Sequence, residues 1–134
     1  MLKIDNNGLI RFFDGELVRI EPWGKNSLRV RATPIGRLDN EARALLDVNK
    51  EKAEIEIFED CATIKNGNAR AEIDKNGKIT FYNQRGEKLL EEALRQKPLK
   101  APARHFKANH LGKYQLTMTF ESIANEKIFG MGQY

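Results

Sequence analysis

A hydrophobic period of two, interrupted at short intervals by turn dipeptides, leaves this chain little room for anything but β-structure. Ala69, Ala71 and Ile73 alternate with Arg70, Glu72 and Asp74, and Ala53, Ile55 and Ile57 alternate with Glu54 and Glu56. Leu28, Val30 and Ala32 alternate with Arg29 and Arg31, and Leu116, Met118 and Phe120 alternate with Gln115, Thr117 and Thr119. Successive strand side chains point to opposite faces, so each run predicts one face on a core and the other in water. Asn7-Gly8, Asp14-Gly15, Asn66-Gly67 and Asn76-Gly77 fall between the runs. Such dipeptides favour tight hairpins because a type I′ turn needs positive φ at both central residues. The stretch 62–82 predicts strand, turn, strand, turn, strand: an antiparallel meander. Short strands with regular turns predict an all-β, mainly antiparallel fold, a sandwich or a barrel.

Two segments pull the other way. Residues 38–46 suit a short helix, with Asp39 or Asn40 as cap and Ala42, Leu45 and Leu46 on one face. Residues 87–97 have stronger helix propensity still. Yet Arg85-Gly86 precedes them as a further hairpin turn, so Lys88 to Glu91 is expected as a strand, followed by at most one helical turn. Pro98 and Pro102 stop a helix and mark 96–103 as an exposed loop. At most one or two short helices are expected.

At 134 residues the chain is expected to form one domain, 1–134, with a core that needs no staples. No apolar run approaches the roughly 20 residues of a membrane helix, so no membrane partner is expected. The N-terminus carries the early acid Asp5 and no long apolar stretch, which argues against a secretory signal. The lone cysteine, Cys61, forms no internal disulfide and suits a reducing cytoplasm, the expected location. The net charge of +4 is strongest between Arg95 and Arg104, where Lys97, Lys100 and Arg104 meet no acid in sequence. That stretch is expected to be a solvated basic loop.

Few residues invite chemistry. The acids Glu91, Glu92, Glu121 and Glu126 are expected to be solvated strand-end carboxylates, with Glu126 accepting backbone N–H bonds to brace the Gly130-Met131-Gly132 corner that follows it. His105 and His110 are five apart, which on a strand puts them on opposite faces, and no nearby cysteine or acid completes a metal set. Cys61 follows Glu59-Asp60, an acidic setting that raises a thiol pKa and does not activate it. Gly130-Met131-Gly132 is far short of a dinucleotide fingerprint, no segment matches a phosphate loop, and no cofactor or metal is expected. Aromatic–basic interleaving is confined to Arg11-Phe12-Phe13 and Arg104-His105-Phe106, too thin for a nucleic-acid partner. Trp23, in Glu21-Pro22-Trp23-Gly24-Lys25, sits at an expected turn, where it can cap the sandwich, face another domain or stack on a sugar ring.

Three stretches together resemble one family. They are Ala62-Thr63-Ile64-Lys65-Asn66-Gly67-Asn68-Ala69-Arg70-Ala71-Glu72-Ile73; Gly77-Lys78-Ile79-Thr80-Phe81-Tyr82-Asn83 running through Gly86 into Leu89-Leu90-Glu91-Glu92; and Phe120-Glu121-Ser122 followed by Glu126-Lys127-Ile128-Phe129-Gly130-Met131-Gly132-Gln133-Tyr134. Their order and spacing resemble the N-terminal domain of glycoside hydrolase family 31. Gln133, where many members carry glutamate, resembles the bacterial α-xylosidase-like branch. The resemblance implies a galactose-mutarotase-like β-sandwich (supersandwich) that precedes a catalytic (β/α)8 barrel. It also implies that both catalytic aspartates lie on that barrel and that none is carried by this chain.

The Gly-x-Gly corner at the end leads to the expectation of a sandwich incomplete at its C-terminus, a piece of a larger α-glycosidase. The barrel of the same polypeptide would be its partner and the carbohydrate substrate would reach it through that barrel. Trp23, Phe129, Met131, Gln133 and Tyr134 are then the candidate interface to the barrel. An exposed patch there and an open strand edge would drive self-association. Two other readings are a free-standing carbohydrate-binding sandwich with Trp23 as platform, and a basic module for polyanions.

Overall fold

Eleven strands and no helix make up the described part of the chain, which in this computed structural model is residues 1–38, 48, 51–94 and 103–127. The first four strands, β1 (Leu2–Asp5), β2 (Gly8–Phe13), β3 (Glu16–Pro22) and β4 (Leu28–Thr33), form an antiparallel sheet in chain order. The next five, β5 (Glu54–Ile57), β6 (Cys61–Asn66), β7 (Ala69–Asp74), β8 (Ile79–Tyr82) and β9 (Lys88–Glu91), form a second antiparallel sheet, also in chain order. A hairpin of β10 (Arg104–Ala108) and β11 (Tyr114–Met118) follows. The predicted meander over 62–82 and the predicted strand Lys88–Glu91 are both present. The helix expected over 38–46, Leu38 excepted, and the exposed loop expected over 96–103, Ala103 excepted, lie outside the described residues.

The turns carry more order than the dipeptides suggested. Asp14-Gly15 forms the expected two-residue turn, with φ of 49° and 80°. Two others are shifted by one residue. Asn6 and Asn7 take the positive φ between β1 and β2, at 43° and 63°, because Gly8 already pairs with Asp5. Gly67-Asn68 is the turn between β6 and β7, because Asn66 pairs with Ala69 inside the ladder. Three further hairpins share one construction. In each, an Asp or Asn opens the loop and accepts the N–H four residues on: Asp74 from Lys78, Asn83 from Glu87, and Asn109 from Lys113, each at 3.0 Å. Gly77, Gly86 and Gly112 then turn the chain at φ of 86°, 79° and 70°, the left-handed region that costs glycine little.

The two larger sheets pack face to face, with β2 and β3 against β6, and β4 against β7. Their inner faces supply Leu9, Val18 and Ile20 from one layer and Ala62, Ile64, Ala71, Ile73 and Ile79 from the other, all buried, with Ala53 beside them. The alternation predicted for β7 is therefore met. At one end of the core the Asn66 amide donates to the carbonyls of Gly24 and Ser27, both at 2.8 Å, and joins the sheets.

Charged side chains close the other end. Arg11 and Arg104 are 5% and 3% exposed, and Glu92 is 1% exposed. Arg104 had been expected in a solvated basic loop and Glu92 among solvated acids, and both expectations fail. The hairpin returns Arg104 to the core, where it meets Glu92 and Glu16, acids that no local spacing reveals. Ala103, expected in an exposed loop, is buried beside it.

One alternation leads elsewhere. Every residue of β11 is exposed, and Leu116, Met118 and Phe120 retain 41%, 38% and 39% of their surface. The pattern identified a strand, but among the described residues no core lies on its apolar side.

Candidate functional site

The outer face of the four-stranded sheet carries a cleft of ≈ 520 Å³ whose walls include Asp5, Arg19, Glu21, Trp23, Arg29, Arg31 and Arg37. Strand register builds it. Arg19 and Glu21 are two apart on β3 and share a face, and β4 brings Arg31 opposite Arg19 and Arg29 opposite Glu21. Val18 and Ile20, between them, turn to the core. Arg29 and Arg31 were expected in water, but both are only about 15% exposed, because Glu21 draws them over the sheet.

Glu21 sits at the centre, 4% exposed. Its carboxylate accepts from Arg19 Nε at 3.1 Å and pairs with Arg31 Nη2 at 2.8 Å, and Arg29 Nη1 lies at 3.9 Å. Arg19 also donates through Nη1 to Asp5 Oδ2 at 3.0 Å and through Nη2 to the Asp5 carbonyl at 3.1 Å. It crosses Gly8, where an added Cβ would come within 3.0 Å of the guanidinium carbon. Arginines 29 and 31 would repel each other without the shared carboxylate. The four lining arginines outnumber the two acids, which leaves the cleft net positive.

Trp23 is half-buried at the rim. Its backbone N–H donates to the Ser27 carbonyl at 2.9 Å, which closes the predicted turn, and the Arg29 guanidinium lies 4.5 Å from its ring centroid. Trp23 is thus brought to the cleft. Phe129, Met131, Gln133 and Tyr134, the other candidate interface residues, lie outside the described residues. The signal for the cleft was present in the sequence as opposite charges at matched alternate positions of β3 and β4; only the register shows that they meet.

The remaining candidates divide. Glu91 bonds to Lys78 and Lys88, and these hold its carboxyl below the usual carboxylate range. Glu121 and Glu126 are exposed, and Glu126 Oε2 accepts the Ile123 N–H at 3.4 Å in the turn before it, while the Gly130-Met131-Gly132 corner it was expected to brace lies outside the described residues. His105 is exposed on β10 and His110 is exposed in the loop that follows, so they do not share a strand. Among the described residues no cluster of histidine, cysteine and acid could hold a metal ion. Burial first, then Glu72, Asp60 and Asp74, push the Cys61 thiol up, away from the reactive thiolate.

The inner ion cluster is structural in its chemistry. Arg104 donates through Nε to Glu16 Oε1 at 2.7 Å, through Nη2 to the Gly77 carbonyl at 2.7 Å, and through Nη1 to both Glu92 oxygens. Burial pulls against the Arg104 charge, but Glu16 and Glu92 outweigh it and raise its pKa. Burial lowers the Arg11 pKa; Glu16 opposes that and nearby Arg104 adds to it. Glu16 and Glu92 have their oxygens committed to these cations, and neither is placed to meet a substrate.

Known proteins match this chain in both sequence and fold. It is 43% identical over 139 aligned positions to a protein of Pseudescherichia vulneris described as an uncharacterized family 31 glucosidase, a match that takes in 91% of this chain and 26% of that protein. The crystal structure of a GH31 α-xylosidase from a soil metagenome, complexed with xylose, superposes with a TM-score of 0.91 and 39% identity over 100% of this chain and 22% of that one. The GH31 α-xylosidase of Xanthomonas citri gives a TM-score of 0.76 over 95% of this chain and 14% of its own; at 24% identity this likeness concerns the fold alone. No protein-family model matches the chain. The chain spans about a quarter of the length of its curated relative. The sequence shared across nine-tenths of the chain, and the fold shared across all of it, place it in glycoside hydrolase family 31 as the N-terminal β-sandwich domain.

Proposed function

We propose that this chain is the non-catalytic sandwich of a cytoplasmic α-glycosidase that hydrolyses α-xylosides or α-glucosides with retention, and that it supports the catalytic barrel. The observation that carries the reading is the 39% identity and TM-score of 0.91 to an α-xylosidase along the whole chain. The state of the carboxylates supports it. Retaining hydrolysis needs two carboxyl groups about 5 Å apart, one nucleophilic and one proton-donating. Here Glu16 and Glu92 are bound by Arg104, Glu21 by Arg19 and Arg31, and Glu91 by lysines. The catalytic pair then belongs to the barrel, and Trp23 with Arg29 faces it. The test compares this chain alone, a family 31 barrel alone and the two joined, on aryl α-xylosides and α-glucosides. Activity is expected in the joined protein only. Turnover by the isolated chain, or an isolated barrel as stable and active as the joined one, overturns the reading.

A second reading has one observation in its favour: a half-exposed tryptophan at the rim of a cleft wide enough for a sugar unit. It makes the chain a carbohydrate-binding module with Trp23 as platform. Calorimetry with xylo- and gluco-oligosaccharides would then show heat that Trp23→Ala removes, and no heat with either series would dispose of it.

A further inference from the structure

Three Asn-Gly pairs occur in this chain, at Asn7-Gly8, Asn66-Gly67 and Asn76-Gly77, and each carries the same latent chemistry. The glycine backbone nitrogen can attack the asparagine side-chain Cγ, because no Cβ stands in its way. The new C–N bond closes a five-membered imide, the Cγ–NH2 bond breaks, and ammonia leaves with the proton of the peptide nitrogen. Water then opens the imide at either carbonyl. The product is aspartate, or isoaspartate with a backbone one methylene longer. The step needs an amide that can swing and a glycine nitrogen that can be freed, and the fold grants these unequally. The Asn7 amide is fixed at both ends: Nδ2 donates to the Glu51 carbonyl and Oδ1 accepts the Ala53 N–H, each at 2.7 Å. The Asn66 amide holds the Gly24 and Ser27 carbonyls, and at 1% exposure it is shut off from the water that must open the imide. Asn76 is exposed, and among the described residues its amide makes one long contact, to Asp74 Oδ2 at 3.5 Å in its own loop. The Gly77 N–H donates to the Asp74 carbonyl at 2.9 Å, a single turn bond that local opening of the loop releases.

We propose that Asn76 is the site at which this chain modifies itself, and that its isoaspartyl product loosens the buried arginine cluster. The loop between β7 and β8 gives its carbonyls to that cluster. Lys75 accepts from Arg11 Nη2 at 3.1 Å, and Gly77 accepts from Arg104 Nη2 at 2.7 Å. The Lys78 N–H is held by Asp74 Oδ1 at 3.0 Å, which fixes the loop at its other end. The fit is close, since a Cβ on Gly77 would lie 2.5 Å from Arg11 Nη1. Isoaspartate inserts its methylene between residues 76 and 77, and so between the two carbonyls that the arginines share. The altered spacing cannot serve both guanidinium groups, and a buried cation that loses an acceptor destabilises the fold. The aspartyl product keeps the normal backbone and spares both bonds. Every contact that separates the three pairs is internal to this chain and joins described residues. The proposal stands apart from the glycosidase reading.

Storage of the folded chain at mildly alkaline pH, followed by peptide mapping in a mass spectrometer, tests it. The peptide that spans Asn76 is expected to gain the mass difference between NH2 and OH, and to accept methyl groups from an isoaspartyl methyltransferase. Asn7 and Asn66 are expected to convert at least about tenfold more slowly, since larger openings are needed to free their amides. In guanidinium chloride the three pairs are expected to convert at similar rates, because only local sequence then remains. Faster conversion at Asn7 or Asn66 in the folded chain, none at Asn76, or an undiminished lead for Asn76 in denaturant overturns the site. The isoaspartyl fraction, separated by ion exchange, is expected to melt several degrees below the fresh chain. Freshly prepared N76D, with the new charge on a normal backbone, is expected to melt where the fresh chain does. N76Q, whose longer side chain closes its imide far more slowly, is expected to keep its melting temperature through the same storage. An isoaspartyl fraction as stable as the fresh chain, N76D as unstable as that fraction, or N76Q that declines like the parent refutes the link to the arginines.

Discussion

Arg104 and Glu92, twelve residues apart in sequence, meet where almost no solvent reaches either of them, at 3% and 1% exposure. The contact is more than a pair. Glu92 Oε2 also accepts the Ile79 N–H at 2.9 Å, and Arg104 reaches Glu16 on β3 and the Gly77 carbonyl in the β7–β8 loop. One guanidinium thus ties both sheets to the base of the β10–β11 hairpin.

Breaking that contact from one side should be severe. Arg104→Ala leaves Glu92 buried with its main cation gone, which costs about 3–5 kcal/mol. Replacing both, Arg104→Met with Glu92→Met, removes the stranded charge and should restore part of the loss. Urea unfolding checks the order. A single variant within about 1 kcal/mol of the parent would show that the cluster contributes little.

The three similar hairpins allow a controlled comparison. Gly77 and Gly86 occupy the same loop position, at φ of 86° and 79°. A Cβ on Gly77 would lie 2.5 Å from Arg11 Nη1, whereas one on Gly86 meets nothing within 4 Å. Gly86→Ala should cost only the left-handed backbone, about 1–2 kcal/mol. Gly77→Ala should cost more, because Arg11 is buried and bound to the Lys75 carbonyl. Equal losses in thermal or urea denaturation would mean that Arg11 swings aside freely.

Acid should erode one contact at the surface. The Glu91 carboxyl is held below its ordinary pKa by Lys78 and Lys88. A depressed folded-state pKa contributes stability that is fully present above the unfolded-state value and is lost as pH falls through the folded one. Glu91→Gln should therefore destabilise the chain at pH 7 and leave it nearly unchanged below the depressed pKa. Urea midpoints for both proteins at neutral and acid pH measure the gap. A gap that widens toward acid contradicts the assignment.

At the cleft, Glu21→Ala leaves Arg19, Arg29 and Arg31 without their common carboxylate. A loss of about 2–3 kcal/mol is expected, less than for a fully buried pair because the arginines keep some solvent. Added salt should reduce the deficit by screening the three cations. A deficit insensitive to salt would place the effect in packing and not in charge.

Strand existence was legible wherever a few neighbours settle it. The alternation of β7 and the turn chemistry at Asp14-Gly15 and Arg85-Gly86 depend on residues within one hairpin. The shifted turns at Asn6-Asn7 and Gly67-Asn68 show the limit: a dipeptide marks a turn, but the packed ladder chooses which residue stays in the strand. Leu116 and Met118 show another. Period two says which side chains share a face, and nothing in it says whether anything lies against that face.

Chain composition and pattern alone settled an antiparallel β architecture, its meander order and the family resemblance, since these follow from backbone conformation and from residues adjacent in the chain. Three-dimensional packing settled the rest: Arg104 inside and not in a solvated loop, and Glu21 enclosed by arginines. The cost of burying a charge, and its repayment by a partner, depends on what stands opposite in space, and for Arg104 and Glu16 that partner is 88 residues away along the chain.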